Sequence, residues 1–201
     1  MSAAAFLALG DSYTIGEQVE PAERWPVQLA SLLRAAGADV SDPRIIARTG
    51  WTTDELAAGI GAAHVTGQYA LVSLLIGVNN QYRGRSADEY QVQFRGLLDL
   101  AIGFAAPGPA RVIVLSIPDW GVMPFAEGRD RERIGREIDE FNAIAKAEVD
   151  RAGTHWVDVT PISRAMQSGW AATDGLHPSG AQYAEWAKLA FGVARAALSA
   201  N

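Results

Sequence analysis

The chain contains no cysteine. A thiol nucleophile, a zinc ribbon and a disulfide framework are therefore excluded, though nothing follows about redox compartment. Histidine is scarce too. His64, His155 and His177 are scattered along the chain and make no ligand cluster, so no metal is expected. Positive charge is in deficit, with 17 Lys and Arg against 23 Asp and Glu and a net charge of -6. Phosphate backbones need clustered cations, so nucleic acid is not an expected partner. The densest basic stretch, Arg129 to Arg136, alternates with Asp130 and Glu132 and is expected to be a solvated helix face.

No apolar run is long enough to span a bilayer, so no membrane partner is expected. The segment Met1 to Gly10 is apolar but lacks a basic start, and it is expected to be a buried strand rather than a leader. A cytoplasmic protein is the expectation; a secreted or periplasmic mature form with its leader removed would also fit. Phosphate-cradling loops are missing. After Gly10 the next glycine, Gly16, comes one residue too late for a P-loop and is followed by Glu17 instead of Lys. The Gly-x-Gly-x-x-Gly turn is absent from this loop as well, and no cofactor is expected.

What remains is an ordinary globular composition of 201 residues, 49% hydrophobic, enough for one domain over 1–201 without metal or disulfide staples. Apolar runs of strand length fall at Ala4 to Leu9, Ile45 to Ala47, Ala70 to Ile76, Val112 to Leu115 and Trp156 to Val159. The third and fourth are nearly continuous, as parallel strands covered on both faces should be. Helical periodicity lies between them. Trp25, Leu29, Leu32, Leu33 and Ala36 share one face; Thr52-x-x-Glu55 and Ser86-x-x-Glu89 read as helix starts; Ile134 to Ala145 and Tyr183 to Phe191 mark two more helices. Strands alternating with helices predict a doubly wound α/β sandwich. The longest irregular stretches, Ile117 to Gly128 and Gln167 to Gly180, are expected to be functional.

Ligands of an open parallel sheet bind beyond the carboxyl ends of its strands. The residues following the strands are Gly10-Asp11-Ser12, then Thr49-Gly50-Trp51, then Gly77-Val78-Asn79-Asn80, and after the fifth strand Asp174-Gly175-Leu176-His177. A serine hydroxyl needs a base within hydrogen-bond reach, and an imidazole oriented by a carboxylate supplies one. Alone, Ser12 would be read as a helix N-cap and His177 as a surface residue; together with Asp174 they are read as nucleophile, base and orienting acid. Asp11 is read as a turn residue. Trp51 and Trp120 are candidate walls of a substrate cleft, with packing of loops onto the sheet as the plainer reading.

These four blocks, in this order and over nearly the whole chain, resemble those of the SGNH or GDSL hydrolases. The resemblance implies a flavodoxin-like three-layer α/β/α sandwich with a central five-stranded parallel sheet. It implies a catalytic triad of Ser12, Asp174 and His177. It assigns the oxyanion hole to the backbone N–H groups of Ser12 and Gly50 and the side-chain amide of Asn79. The third block departs from the family's usual Gly-x-Asn-Asp, because Asn80 stands in place of the Asp. The expected activity is that of a serine esterase acting on a small-molecule carboxylic ester. Short acyl groups are expected, for example acetyl on a carbohydrate, because a chain of this length leaves little room for a lid. An acyltransferase or thioesterase with the same triad, or a non-catalytic carbohydrate-binding relative, would carry the same motifs.

Overall fold

The computed structural model describes residues 3–165 and 167–199. Five strands form one sheet in the order β2-β1-β3-β4-β5, every neighbouring pair parallel. They are β1 (Phe6–Gly10), β2 (Arg44–Ala47), β3 (Leu71–Leu75), β4 (Val112–Leu115) and β5 (His155–Val157). All residues of β1, β3 and β4 are buried, while β2 and β5 are only partly so. The central strands therefore carry nearly continuous apolar runs, interrupted in β3 only by Ser73, and the two edge strands show the weakest pattern in the sequence.

Among the described residues eight α-helices surround the sheet: α1 (Ser12–Ile15), α2 (Trp25–Ala35), α3 (Thr53–Ala62), α4 (Val78–Tyr82), α5 (Ala87–Phe104), α6 (Arg131–Ala152), α7 (Thr160–Arg164) and α8 (Gly180–Ser199). Trp25, Leu29 and Leu33 of α2 and Trp186, Ala187 and Ala190 of α8 have no exposure, and these two helices pack on each other. Tyr90, Phe94 and Leu98 of α5 and Ile138 and Phe141 of α6 fill the core from their own layer, with Tyr90 stacked on Phe141 at 4.5 Å. The helix starts follow local capping chemistry. Thr52 N–H donates to Glu55 at 2.9 Å, and Ser86 Oγ accepts from Glu89 N–H at 3.2 Å. Among the described residues no helix is long and apolar enough to cross a membrane.

The strand order reverses between β1 and β3: the chain moves out to β2 and returns to add β3 on the other side. A crevice opens at such a switch point, at the carboxyl ends of the strands. The loops after β1, β2 and β3 meet there.

Candidate active site

Gly10 ends β1, and α1 begins two residues later. The N-cap of α1 is Asp11, not Ser12: Asp11 Oδ1 accepts from Tyr13 N–H at 3.0 Å. Ser12 is thus released from capping and stands as the first helical residue, almost fully buried. Burial pushes the Asp11 carboxyl up to about 7, although the Tyr13 N–H pulls it down. Its Oδ2 has no hydrogen-bond partner among the described residues. Near neutrality a large fraction of Asp11 is therefore uncharged, which keeps a full negative charge away from the adjoining serine.

The loop carrying Asp174 turns back on itself. Asp174 Oδ1 accepts from the backbone N–H of Leu176 at 2.9 Å and of His177 at 3.0 Å, while Oδ2 lies 2.6 Å from His177 Nδ1. Partial burial raises the Asp174 carboxyl, but these hydrogen bonds and the imidazole outweigh it and hold the group below its ordinary value. An ionised carboxylate on Nδ1 fixes the tautomer that leaves Nε2 as the accepting nitrogen. Tyr13 meets the His177 ring edge-on at 5.9 Å and limits its tilt.

Ser12, Gly50, Asn79 and His177 line one cavity of about 180 Å³. No hydrogen bond joins Ser12 Oγ to His177 among the described residues; such contacts often tighten only when substrate is bound. Residues with free N–H donors line the same cavity. Neither the N–H of Ser12 nor that of Gly50 is used by any other group among the described residues. Gly50 has φ +87°, a conformation that L side chains rarely adopt, and Arg83 Nη2 donates to its carbonyl at 2.5 Å. The Gly50 carbonyl is thus anchored and the following Trp51 N–H donates to Arg48 O at 3.2 Å, while the Gly50 N–H itself stays free. Asn79 gives one amide hydrogen to Trp51 O at 3.0 Å, which leaves the second for a ligand.

Trp120 is a cavity wall, and its Nε1 donates to Gln81 Oε1 at 2.8 Å. Trp51 is not. Its ring lies on α3 in the space above Gly59, where an added Cβ would come within 2.2 Å of it. Burying an indole on a helix surface next to the core outweighs exposing it in a cleft, so the plainer reading of Trp51 holds. Arg83 and Arg85 are both committed, to Glu55 and to Asp54 and Glu89.

Tyr82, Phe125 and Leu176 also line the cavity. Sequence reasoning did not single them out. The available signal was loop length, since Trp120 and Phe125 lie in one of the two long irregular stretches and Leu176 in the other. Phe125 N–H donates to Gly175 O at 2.9 Å and ties the two loops together.

The stretch Arg129 to Arg136 is a solvated helix face only from Arg131 onward. Arg129 precedes α6, and its guanidinium stands over the rings of Phe125, Trp120 and Tyr82 at 4.8, 5.5 and 5.6 Å.

Asn80 points away from the cavity. It is fully buried, accepts from Thr53 N–H at 3.1 Å and donates Nδ2 to Thr53 Oγ1 at 2.7 Å. The Thr53 hydroxyl hydrogen is committed to Gln93 Oε1, and Gln93 Nε2 donates to Glu89. Only an amide satisfies both sides of Thr53 in this arrangement, because a carboxylate has no hydrogen to donate. Asn80→Asp should lower stability by about 1–3 kcal/mol through an unmatched buried acceptor. Urea unfolding at neutral pH checks this, and a variant as stable as the parent would show that the Thr53 hydroxyl turns freely.

A family model described as GDSL-like lipase/acylhydrolase matches residues 8–185. No curated protein matches the chain. Among solved structures, a variant of an acetyl xylan esterase from Geobacillus stearothermophilus superposes with a TM-score of 0.74 at 19% identity, covering 96% of this chain and 95% of that one. A lipase/acylhydrolase from Enterococcus faecalis gives 0.74 at 18% identity, with 94% of each chain covered. The psychrotrophic esterase EstA from Pseudoalteromonas sp. gives 0.71 at 17% identity, covering 94% of this chain and 95% of that one. At these identities the likeness is one of fold: a five-stranded parallel sheet with helices around it.

Proposed function

The chain belongs to the GDSL-like lipase/acylhydrolase family, and from that premise we propose that it hydrolyses carboxylic esters of short acyl groups through an acyl-enzyme on Ser12. The observation that carries the reading is the shared cavity. An imidazole oriented by Asp174, a serine released from capping and two unpaired backbone donors all border the same 180 Å³.

In the proposed reaction, Ser12 Oγ attacks the ester carbonyl carbon as His177 Nε2 takes its proton. The carbonyl oxygen becomes an oxyanion and accepts from the N–H of Ser12, the N–H of Gly50 and the free amide hydrogen of Asn79. Losing one such donor typically costs about 3–4 kcal/mol in the transition state. The C–O bond then breaks, and the alcohol leaves with the proton from His177. Water adds to the acyl-enzyme by the same route in reverse, giving the acid and restoring Ser12.

The acyl length follows from the space available. Pockets for drug-sized ligands run to about 300–1,000 Å³. The 180 Å³ here, walled by Val78, Tyr82, Trp120, Phe125 and Leu176, suits an acetyl to butyryl group. That a neighbour in fold is an acetyl xylan esterase is compatible with such a substrate and supports the reading as an analogy of fold. A p-nitrophenyl ester series should show kcat/KM highest at two to four acyl carbons and falling by about tenfold or more at eight. Methylenes beyond the cavity's capacity gain no burial, and forcing them in crowds its walls, which costs typically about 1–3 kcal/mol. A maximum at eight carbons or beyond would overturn the short-chain assignment.

A further inference from the structure

We propose that Arg129 is a specificity-determining residue that selects esters whose alcohol portion carries an anionic group; this rests on the esterase reading above. A second, larger cavity of about 430 Å³ adjoins the catalytic one and shares Tyr82 and Trp120 with it. Those two rings meet edge-on at 5.4 Å and form the partition. The small cavity takes the acyl group, so the larger one is left for the alcohol.

Arg129 stands at this junction. Its guanidinium covers the faces of Tyr82, Trp120 and Phe125, three of the aromatic walls of the catalytic cavity. Stacking holds a planar cation in place without consuming its hydrogen-bond donors. The other cations around the larger cavity are engaged. Arg85 pairs with Asp54 and Glu89, Arg133 pairs with Glu137, and Asp130 caps α6. Glu140 contributes a negative charge to the same cavity. Arg129 makes no ion pair among the described residues. It is the one cation of this lining without a carboxylate, and it stacks on the two rings that the cavities share. In a chain of net charge -6, such a cation offers an anion a local partner on a surface that would otherwise repel it.

The test compares two acetyl esters that differ only in charge, 4-acetoxybenzoate and 4-acetoxybenzamide, on the whole protein. The readout is the ratio of their kcat/KM values in wild type divided by the same ratio in a variant, which cancels the intrinsic reactivity of the two phenols. Arg129→Gln should lower the anionic-to-neutral ratio by about fivefold, mainly through KM, as expected for a solvent-accessible charge pair. Arg129→Lys should keep most of the preference, and raising salt from 0.05 to 0.5 M should erode it in wild type. A merely structural role would move both esters in parallel and leave the ratio unchanged, which would overturn the proposal. Failure of the esterase reading looks different: neither ester would be cleaved in a Ser12-dependent way.

Discussion

Ser12→Ala should reduce the turnover of a short-chain ester by on the order of 10⁶, as removal of a triad nucleophile does elsewhere. The loss should fall in kcat, with little change in the fold. Ser12 is the first residue of α1 and makes no side-chain hydrogen bond among the described residues, and alanine is the better helix former. The cap that starts this helix is Asp11, which the substitution leaves intact. Circular dichroism and thermal unfolding of the variant should therefore match the parent. Turnover is read with p-nitrophenyl acetate under identical conditions. A variant that kept a tenth of the wild-type rate would sink the acyl-enzyme mechanism on Ser12. Tyr13, Thr49 and Tyr82 also border the cavity. Thr49 donates its hydroxyl to Glu17, and burial raises the Tyr13 phenol far above its ordinary range, which makes it a poor nucleophile.

The second large effect is expected at Asp174. Asp174→Asn keeps an oxygen for the backbone N–H groups of Leu176 and His177, so the loop should hold its shape. The amide nitrogen, however, must donate where Oδ2 accepted. The His177 ring then takes the other tautomer, with Nδ1 accepting and Nε2 protonated, and it can no longer take the serine proton. A loss of about 10⁴ in kcat is expected, the size seen for the equivalent change in a serine protease triad. Retention of full activity would show that Asp174 is not the orienting carboxylate.

The same residue predicts a pH effect. Its carboxyl is held below the ordinary value in the folded chain. It therefore adds stability above the unfolded carboxylate range, near pH 4, and that contribution is lost as pH falls through the lowered folded value. Wild type should lose stability on acidification below about pH 4 more steeply than Asp174→Asn, measured by thermal unfolding from pH 2 to 7. Parallel curves would count against the assigned hydrogen bonds.

Much of the chain was legible from local pattern. The runs at Leu71–Leu75 and Val112–Leu115 are apolar but for Ser73 because both faces of a central parallel strand are covered, and this pattern needs no knowledge of distant residues. The capping pairs Thr52–Glu55 and Ser86–Glu89 are local for the same reason, since an orphan N–H is satisfied within one turn. Ser12, Gly50, Asn79, Asp174 and His177 could be grouped because each follows a strand, and a parallel sheet delivers all such loops to one edge. The substrate walls were less legible. Phe125 and Leu176 are ordinary apolar residues in irregular loops, and nothing in their own segments says that a hydrogen bond from Phe125 to Gly175 draws them together.

Sequence alone thus determined the layers of the fold, the edge on which chemistry can occur and the residue types available there. Burial of an apolar face and capping of a helix end are short-range demands that composition and period express directly. Tertiary structure decided which of two loop tryptophans faces the cavity, why an amide stands at position 80, and that Arg129 belongs to a wall of aromatic rings instead of a solvated helix. Each of those outcomes depends on partners outside the residue's own segment: Gly59 opens space for Trp51 across a helix, Gln81 holds Trp120 from α4, and Gln93 sets the hydroxyl that Asn80 must match. A side chain in a loop points where its distant neighbours leave room and supply hydrogen-bond partners, and only the folded chain brings those neighbours together.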